Sequence, residues 1–161
     1  MQAILNDLQL KEDDVFLDFG SGVGNLVIFT AAFGKVRESY GVEKEKEPAK
    51  CADRYQEEFE KLMRHFGMEL GTVKIIEGDF LKQENLIKSA KVIFVNNKVF
   101  DSGLSLEFEK IFKNCKHGVR IVSTAKFGGS SKKIPKTWLH LKCLQSSNET
   151  FRGLTTMSHS T

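Results

Sequence analysis

Apolar residues along this chain gather into short runs that stop at glycine, asparagine or acidic positions, and between the runs apolar positions recur every three or four residues. Residues 15–19 (Val-Phe-Leu-Asp-Phe) form such a run ahead of a glycine cluster and predict a buried strand near the centre of a sheet. Residues 26–33 continue as an apolar helix, and 38–42 predict a second strand. Pro48 stands where helices begin and Gly67 where they end. Between them Ala52, Tyr55, Phe59, Leu62 and Phe66 follow at spacings of 3, 4, 3 and 4, a stripe that predicts the core face of a helix. Residues 72–76 predict a third strand, 84–89 a short helix, and 92–95 (Val-Ile-Phe-Val) a fourth strand closed by Asn96 and Asn97. A helix over 106–112, with Leu106, Ile111 and Phe112 as its apolar contacts, leads to a fifth strand over 119–123. Beyond Lys126 the pattern dissolves into a small, basic loop, and 138–144 with 150–157 read as an antiparallel pair at the sheet edge. Strands alternating with helices predict an α/β fold: a mostly parallel, doubly wound, Rossmann-like sheet with an antiparallel edge.

At 161 residues the chain has the length of one domain, 1–161. Its 40% hydrophobic and 28% charged residues exclude a disordered, collagen-like or coiled-coil chain. No stretch approaches the ~18 apolar residues of a membrane span, and no basic-then-apolar leader opens the chain. A soluble protein without membrane contact is expected. Cys51, Cys115 and Cys143 form no Cys-x-x-Cys pair, so neither a disulfide framework nor a metal site is expected, and a reducing compartment fits. The four histidines, at 65, 117, 140 and 159, show no partner pattern.

Charge changes the picture more. Residues 1–80 carry 10 Lys/Arg against 16 Asp/Glu, or −6, and residues 81–161 carry 14 against 5, or +9, restoring the net +3. Between Lys110 and Asn148 there are nine basic residues (Lys110, Lys113, Lys116, Arg120, Lys126, Lys132, Lys133, Lys136, Lys142) and no acidic one. A solvated face is the plain reading of such a run, and a polyanionic partner touching 110–142, such as DNA, is the sharper one.

In an open parallel sheet the ligand lies outside the carboxyl ends of the strands. The first predicted strand runs into Asp18-Phe19-Gly20-Ser21-Gly22-Val23-Gly24-Asn25. A dinucleotide fingerprint would be G-x-G-x-x-G, but here Asn25 occupies the third glycine's place and the glycine stands at Gly24. Asp18, two residues ahead of the first glycine, would repel a pyrophosphate and attract a cation such as the ammonium of a methionine-type ligand, which favours S-adenosylmethionine over NAD. Glu43 follows the second strand, where a carboxylate can accept from both ribose hydroxyls. Asp79 and Phe80 follow the third, where an acid and a ring can take the amino group and face of adenine. Asn96 and Asn97 close the fourth, where a reacting sulfonium would lie. The plain alternatives make Glu43 a surface carboxylate and Asp79 a cap of the next helix.

Four blocks, Val15 through Asn25, Tyr40-Gly41-Val42-Glu43-Lys44, Glu77-Gly78-Asp79-Phe80-Leu81, and Val92-Ile93-Phe94-Val95-Asn96-Asn97 with Phe100, resemble in content and order the catalytic core of the disruptor-of-telomeric-silencing histone methyltransferases. The resemblance is strongest over 14–123. It implies a non-SET, class I S-adenosylmethionine-dependent methyltransferase fold, a nuclear location, and transfer of methyl groups to lysine-79 of histone H3 in nucleosomes. It further implies that Asp18, Gly20, Gly22, Gly24 and Asn25 hold the methionine moiety, Glu43 the ribose, and Asp79 with Phe80 the adenine. Asn96 would face both cofactor and methyl-transfer site, and Phe100 would wall the lysine channel.

The chain departs from the family pattern in three places. Lys98 stands where the family carries Phe, the 154–159 stretch offers no tyrosine, and only 14 residues precede Val15, so the helical segment that lids the cofactor is expected to be mostly absent. These departures define the alternative reading, a weak or inactive S-adenosylmethionine-binding domain that serves as a chromatin interaction module.

Overall fold

A computed structural model describes residues 2–98, 100–116, 118–125 and 142–143. In chain order the elements are α1 (Gln2–Leu8), β1 (Val15–Phe19), α2 (Asn25–Phe33), β2 (Glu38–Glu43), α3 (Lys46–His65), β3 (Thr72–Glu77), a 3-10 turn (Phe80–Lys82), α4 (Glu84–Ser89), β4 (Val92–Val95), α5 (Ser102–Lys113), β5 (Arg120–Ser123) and β6 (Lys142–Cys143). The strands form one sheet in the order β3-β2-β1-β4-β5-β6. After β1 the chain winds outward through β2 and β3, then returns to β4 on the other side of β1. The carboxyl ends of β1 and β4 therefore part the loops at a switch point, where an open α/β sheet forms its ligand crevice.

The period-2 alternation of the strands feeds two cores. Leu17, Phe19, Val42, Ile93, Val95 and Ile121 face α4 and α5, where Ile87, Phe108 and Phe112 meet them. Phe16, Val92, Phe94 and Val122 face the other side, against Leu5 and Leu8 of α1 with Leu26 and Phe29 of α2. Both faces of β1 are thus covered, which is why its five residues are all buried and why its sequence reads as an unbroken apolar run around Asp18. At the amino end of the sheet Arg120 joins three elements: its guanidinium donates to the carbonyl of Leu8 (2.9 Å), to that of Gln9, and to the buried carboxylate of Asp14. The free carbonyls at the end of α1 are satisfied by a cation, as a helix carboxyl end prefers.

Two expectations are corrected here. The α3 stripe does not form the core face. Tyr55 is 57%, Leu62 51% and Phe66 67% exposed, while Ala49, Ala52 and Met63 are buried and Phe59 is half-buried. The small residues decide the phase: Ala52 lies close enough to Gly24 that a Cβ built there would sit 3.4 Å from the Ala52 Cβ, so the helix packs through its alanines and the bulky stripe rotates outward. In α5, Leu106 is 57% exposed and Phe108 and Phe112 are buried. That helix begins at Ser102, capped by Asp101 accepting from the Leu104 amide (2.7 Å), and the inward spacing runs through 104, 108, 111 and 112. At the sheet's edge β6 pairs with β5 in parallel, Val122 opposite Lys142 and Ser123 opposite Cys143. The 18 positions between Ser123 and Lys142 exceed the dozen or so that a parallel crossover needs. The predicted antiparallel partner, 150–157, and hence that pairing, lies outside the described residues.

Candidate functional site

The crevice is built on glycines in the left-handed region, open to glycine because it carries no Cβ. Gly20, Gly22 and Gly24 have φ of 72°, 56° and 77°. The loop they form is anchored to β2: the amides of Gly20 and Ser21 donate to the Val42 carbonyl (2.9 and 3.2 Å), and the Gly24 amide turns back to the Ser21 carbonyl (2.9 Å). Ser21 nests over Gly41, where any side chain would collide with it. Asn25 opens α2 with its side chain exposed at the loop's edge.

Glu43 ties the loops of three strands together. One carboxylate oxygen accepts from the Gly22 amide (2.7 Å), the other from the Glu45 amide (2.8 Å), and its carbonyl accepts from the Gly78 amide (2.8 Å). It is buried, so it is no surface carboxylate. Asp18 lies 5% exposed on the same side of the sheet. Burial first, and the Glu43 carboxylate second, push its carboxyl up to about 8. Among the described residues neither acid has a basic partner, and two such carboxylates at one sheet end favour positive charge beside them.

Past β3, the Asp79 carboxylate accepts from the Leu81 amide (2.9 Å) and caps the 3-10 turn, as the capping alternative expected. Phe80 is buried, its ring 4.8 Å from Phe108 and 5.2 Å from Phe19. Half-buried Phe100 stacks on the same Phe108 at 5.2 Å and 10°. Phe108, which the sequence pattern did not single out, thus supports both rings expected at the site.

The asparagine pair divides its work. Asn96 is exposed and its Oδ1 accepts from the Thr124 hydroxyl (2.7 Å). Asn97 is buried and grips Ala125 from both sides, its Nδ2 donating to the Ala125 carbonyl (2.9 Å) and its Oδ1 accepting from the Ala125 amide (2.7 Å). It continues with a side chain the β4–β5 ladder that ends at Val95 and Ser123. Neither Asn97's clamp nor Thr124 was visible in the sequence, although the doublet after a strand was its one signal.

Of the basic run, the described residues give a divided picture. Lys113 and Lys116 are exposed, Lys110 pairs with Glu107 (2.6 Å), and Arg120 is committed internally to Asp14 and α1. Lys126, Lys132, Lys133 and Lys136 lie outside the described residues. The Cys115 thiol is pushed up to about 11 by burial, which keeps it protonated at neutral pH.

This geometry has known counterparts. The fold is that of class I methyltransferases: an RNA methyltransferase from Salinibacter ruber in complex with S-adenosyl-L-homocysteine superposes with a TM-score of 0.60 at 23% identity, covering 76% of this chain and 71% of that one. A putative S-adenosyl-L-methionine-dependent methyltransferase from Methanococcus maripaludis gives 0.59 at 20% identity, covering 79% and 54%. Sequence relatives are more specific. The chain is 39% identical over 136 residues to a histone-lysine N-methyltransferase, H3 lysine-79 specific, of Caenorhabditis elegans, covering 82% of this chain and 14% of that protein. Proteins of the same description from Drosophila melanogaster (33%, covering 79% and 7%) and Emericella nidulans (36%, covering 79% and 26%) also match. The chain therefore spans only about a quarter or less of the length of these relatives. The model of the family described as histone methylation protein DOT1 matches residues 1–150, and the chain belongs to that family.

Proposed function

We propose that this chain binds S-adenosylmethionine across the carboxyl ends of β1 to β4 and transfers its methyl group to a lysine of nucleosomal histone H3, of the lysine-79 type. The observation that carries the reading is the pairing of the left-handed glycine loop with two buried carboxylates, Asp18 and Glu43, neither of them in an ion pair with a basic group among the described residues. A phosphate-bearing cofactor would meet repulsion there, whereas a sulfonium amino acid meets its counter-charge.

When bound, the cofactor supplies a methyl group on a positively charged sulfur. The chain's own residues do the rest. Asp18 and the amides of the glycine loop orient the amino-acid end, and Glu43 offers the ribose the lone pairs its two backbone donors leave free. Asp79 and the edge of Phe80 flank the base. Asn96, held by Thr124, and Phe100, held by Phe108, border the acceptor side. Their work is positional, since aligning a neutral lysine amine with the methyl carbon captures most of the advantage available to a bimolecular displacement. The amine must shed its proton before attack, so activity rises with pH. Lys113 and Lys116 on the exposed end of the second half provide phosphate contacts whose contribution weakens as salt rises.

The test is transfer of labelled methyl groups to reconstituted nucleosomes by the wild-type chain and by Glu43→Ala and Asp79→Ala. The proposal expects label on histone H3, reduced at least tenfold by either substitution. Undiminished transfer by both variants at limiting cofactor overturns the assignment.

A further inference from the structure

Asp18 sits in mid-strand, opposite Gly41 of β2 and Phe94 of β4. Gly41 brings no side chain of its own beside it, and Ser21 and Val27 close over that position; no described residue donates a hydrogen bond to the Asp18 carboxyl. The elements around it bring no cation: α2 (Asn-Leu-Val-Ile-Phe-Thr-Ala-Ala-Phe) and β4 (Val-Ile-Phe-Val) contain no titratable residue. Just before β1 the nearest other acid in that segment, Asp14, is paired with Arg120. On β2, Glu38 lies at the far end, paired with Arg37 and with the Tyr40 hydroxyl, while Glu43 lies at the near end. Glu43 is held by two backbone amides, so of the two acids Asp18 is the one left without a donor.

We propose that Asp18 is a proton-exchanging specificity residue: neutral in the ligand-free protein, it ionises only when a ligand brings an α-amino cation to it, so that an amino-acid-bearing nucleoside binds with release of one proton. This rests on the cofactor reading above and sharpens it, because it separates ligands by the presence of the amino group rather than by the nucleoside they share. Burial and the Glu43 carboxylate hold Asp18 protonated through neutral pH. A nucleoside without the amino group leaves it so, and its binding is indifferent to pH.

Calorimetric titrations of the whole chain at pH 6.5, in phosphate and in imidazole buffer, count the protons released. At that pH an α-amino group, which titrates near ~8, already carries its charge, so the proton comes from the protein. S-adenosylmethionine is expected to release close to one proton, and its affinity to fall nearly tenfold between pH 7 and pH 6. 5′-Methylthioadenosine is expected to release none. In Asp18→Asn, an isosteric change that keeps the core filled, the pH dependence and the proton release for S-adenosylmethionine both vanish. S-adenosylmethionine binding without proton release, or equal release by both ligands, overturns the proposal alone. Binding of neither ligand overturns the cofactor reading and this proposal with it.

Discussion

Gly41→Ala is the smallest change that should disable the crevice. A Cβ at this position would stand 2.6 Å from the Ser21 Oγ, 2.8 Å from the Ser21 Cβ and 2.9 Å from a Val27 methyl. Comfortable separations between such atoms are about 3.5 to 4.0 Å, so Ser21 must move by roughly 1 Å. Its amide and that of Gly20 are bonded to Val42, and its carbonyl holds the Gly24 amide, so the movement stretches the three contacts that define the loop. Overpacking of this kind costs about 1 to 3 kcal/mol, or a fall in Tm of roughly 2 to 10 °C for a domain of this size. The Gly22 amide shifts with the loop, and S-adenosylmethionine affinity should fall at least tenfold. Thermal unfolding and a binding titration measure the two effects. Replacing Ser21 by Gly in the same chain removes the two nearest clashes and should recover part of the stability, a coupling of roughly 0.5 kcal/mol or more. A Gly41→Ala protein with Tm within 1 °C and affinity within twofold of wild type would refute the packing argument.

Other substitutions probe the remaining parts. Arg120→Met strands the buried Asp14 carboxylate and frees the α1 carbonyls; it should cost about 3 to 5 kcal/mol in urea unfolding, and a loss below about 1 kcal/mol would contradict the three-way clamp. Phe108→Ala should cost about 3 to 5 kcal/mol and lower both cofactor affinity and turnover, since Phe80 and Phe100 lean on one ring; an unchanged binding curve would show that the rings stand independently. Asn97→Ala should spare cofactor affinity and reduce turnover on nucleosomes, with Asn97→Asp, which can accept from Ala125 but not donate to it, lying between; equal loss of cofactor affinity would mean that the clamp serves the wrong side of the site. Asp18 has a raised folded-state pKa, so its protonated form is favoured by folding and the protein loses stability as pH rises from about 4 to about 8. Asp18→Asn removes that dependence, and by pH 7 the difference between the two proteins should reach on the order of 4 kcal/mol; parallel stability curves at pH 5 and pH 8 would count against it.

The central strands and the parallel, doubly wound character of the sheet were readable because each central strand is a short apolar run with a sharp polar or glycine stop. β1, α4 and β4 have the bounds expected of them, and the candidate residues Glu43, Asp79 and Asn96 stand at or just past the carboxyl ends of β2, β3 and β4. Helix phase was not readable in the same way. An amphipathic stripe says that a helix has a face, but which arc meets the sheet is decided by how closely small residues let it approach, and in α3 the alanines outrank Tyr55, Leu62 and Phe66. Contacts between distant positions were equally hidden. Asn97 with Ala125, Arg120 with Leu8, and Phe108 with Phe80 are separated by 28, 112 and 28 positions, and nothing in local periodicity marks them. Glu43 was expected to face a ligand, but its tie to the glycine loop exists only once β1 and β2 lie side by side in register.

A titration of the chain with S-adenosylmethionine, with NAD as the comparison, tests the central claim most directly. Binding of S-adenosylmethionine in the micromolar range, about 8 kcal/mol, with no binding of NAD, is the predicted result. Tighter binding of NAD, or no binding of S-adenosylmethionine to a chain shown by its thermal unfolding to be folded, would contradict the account.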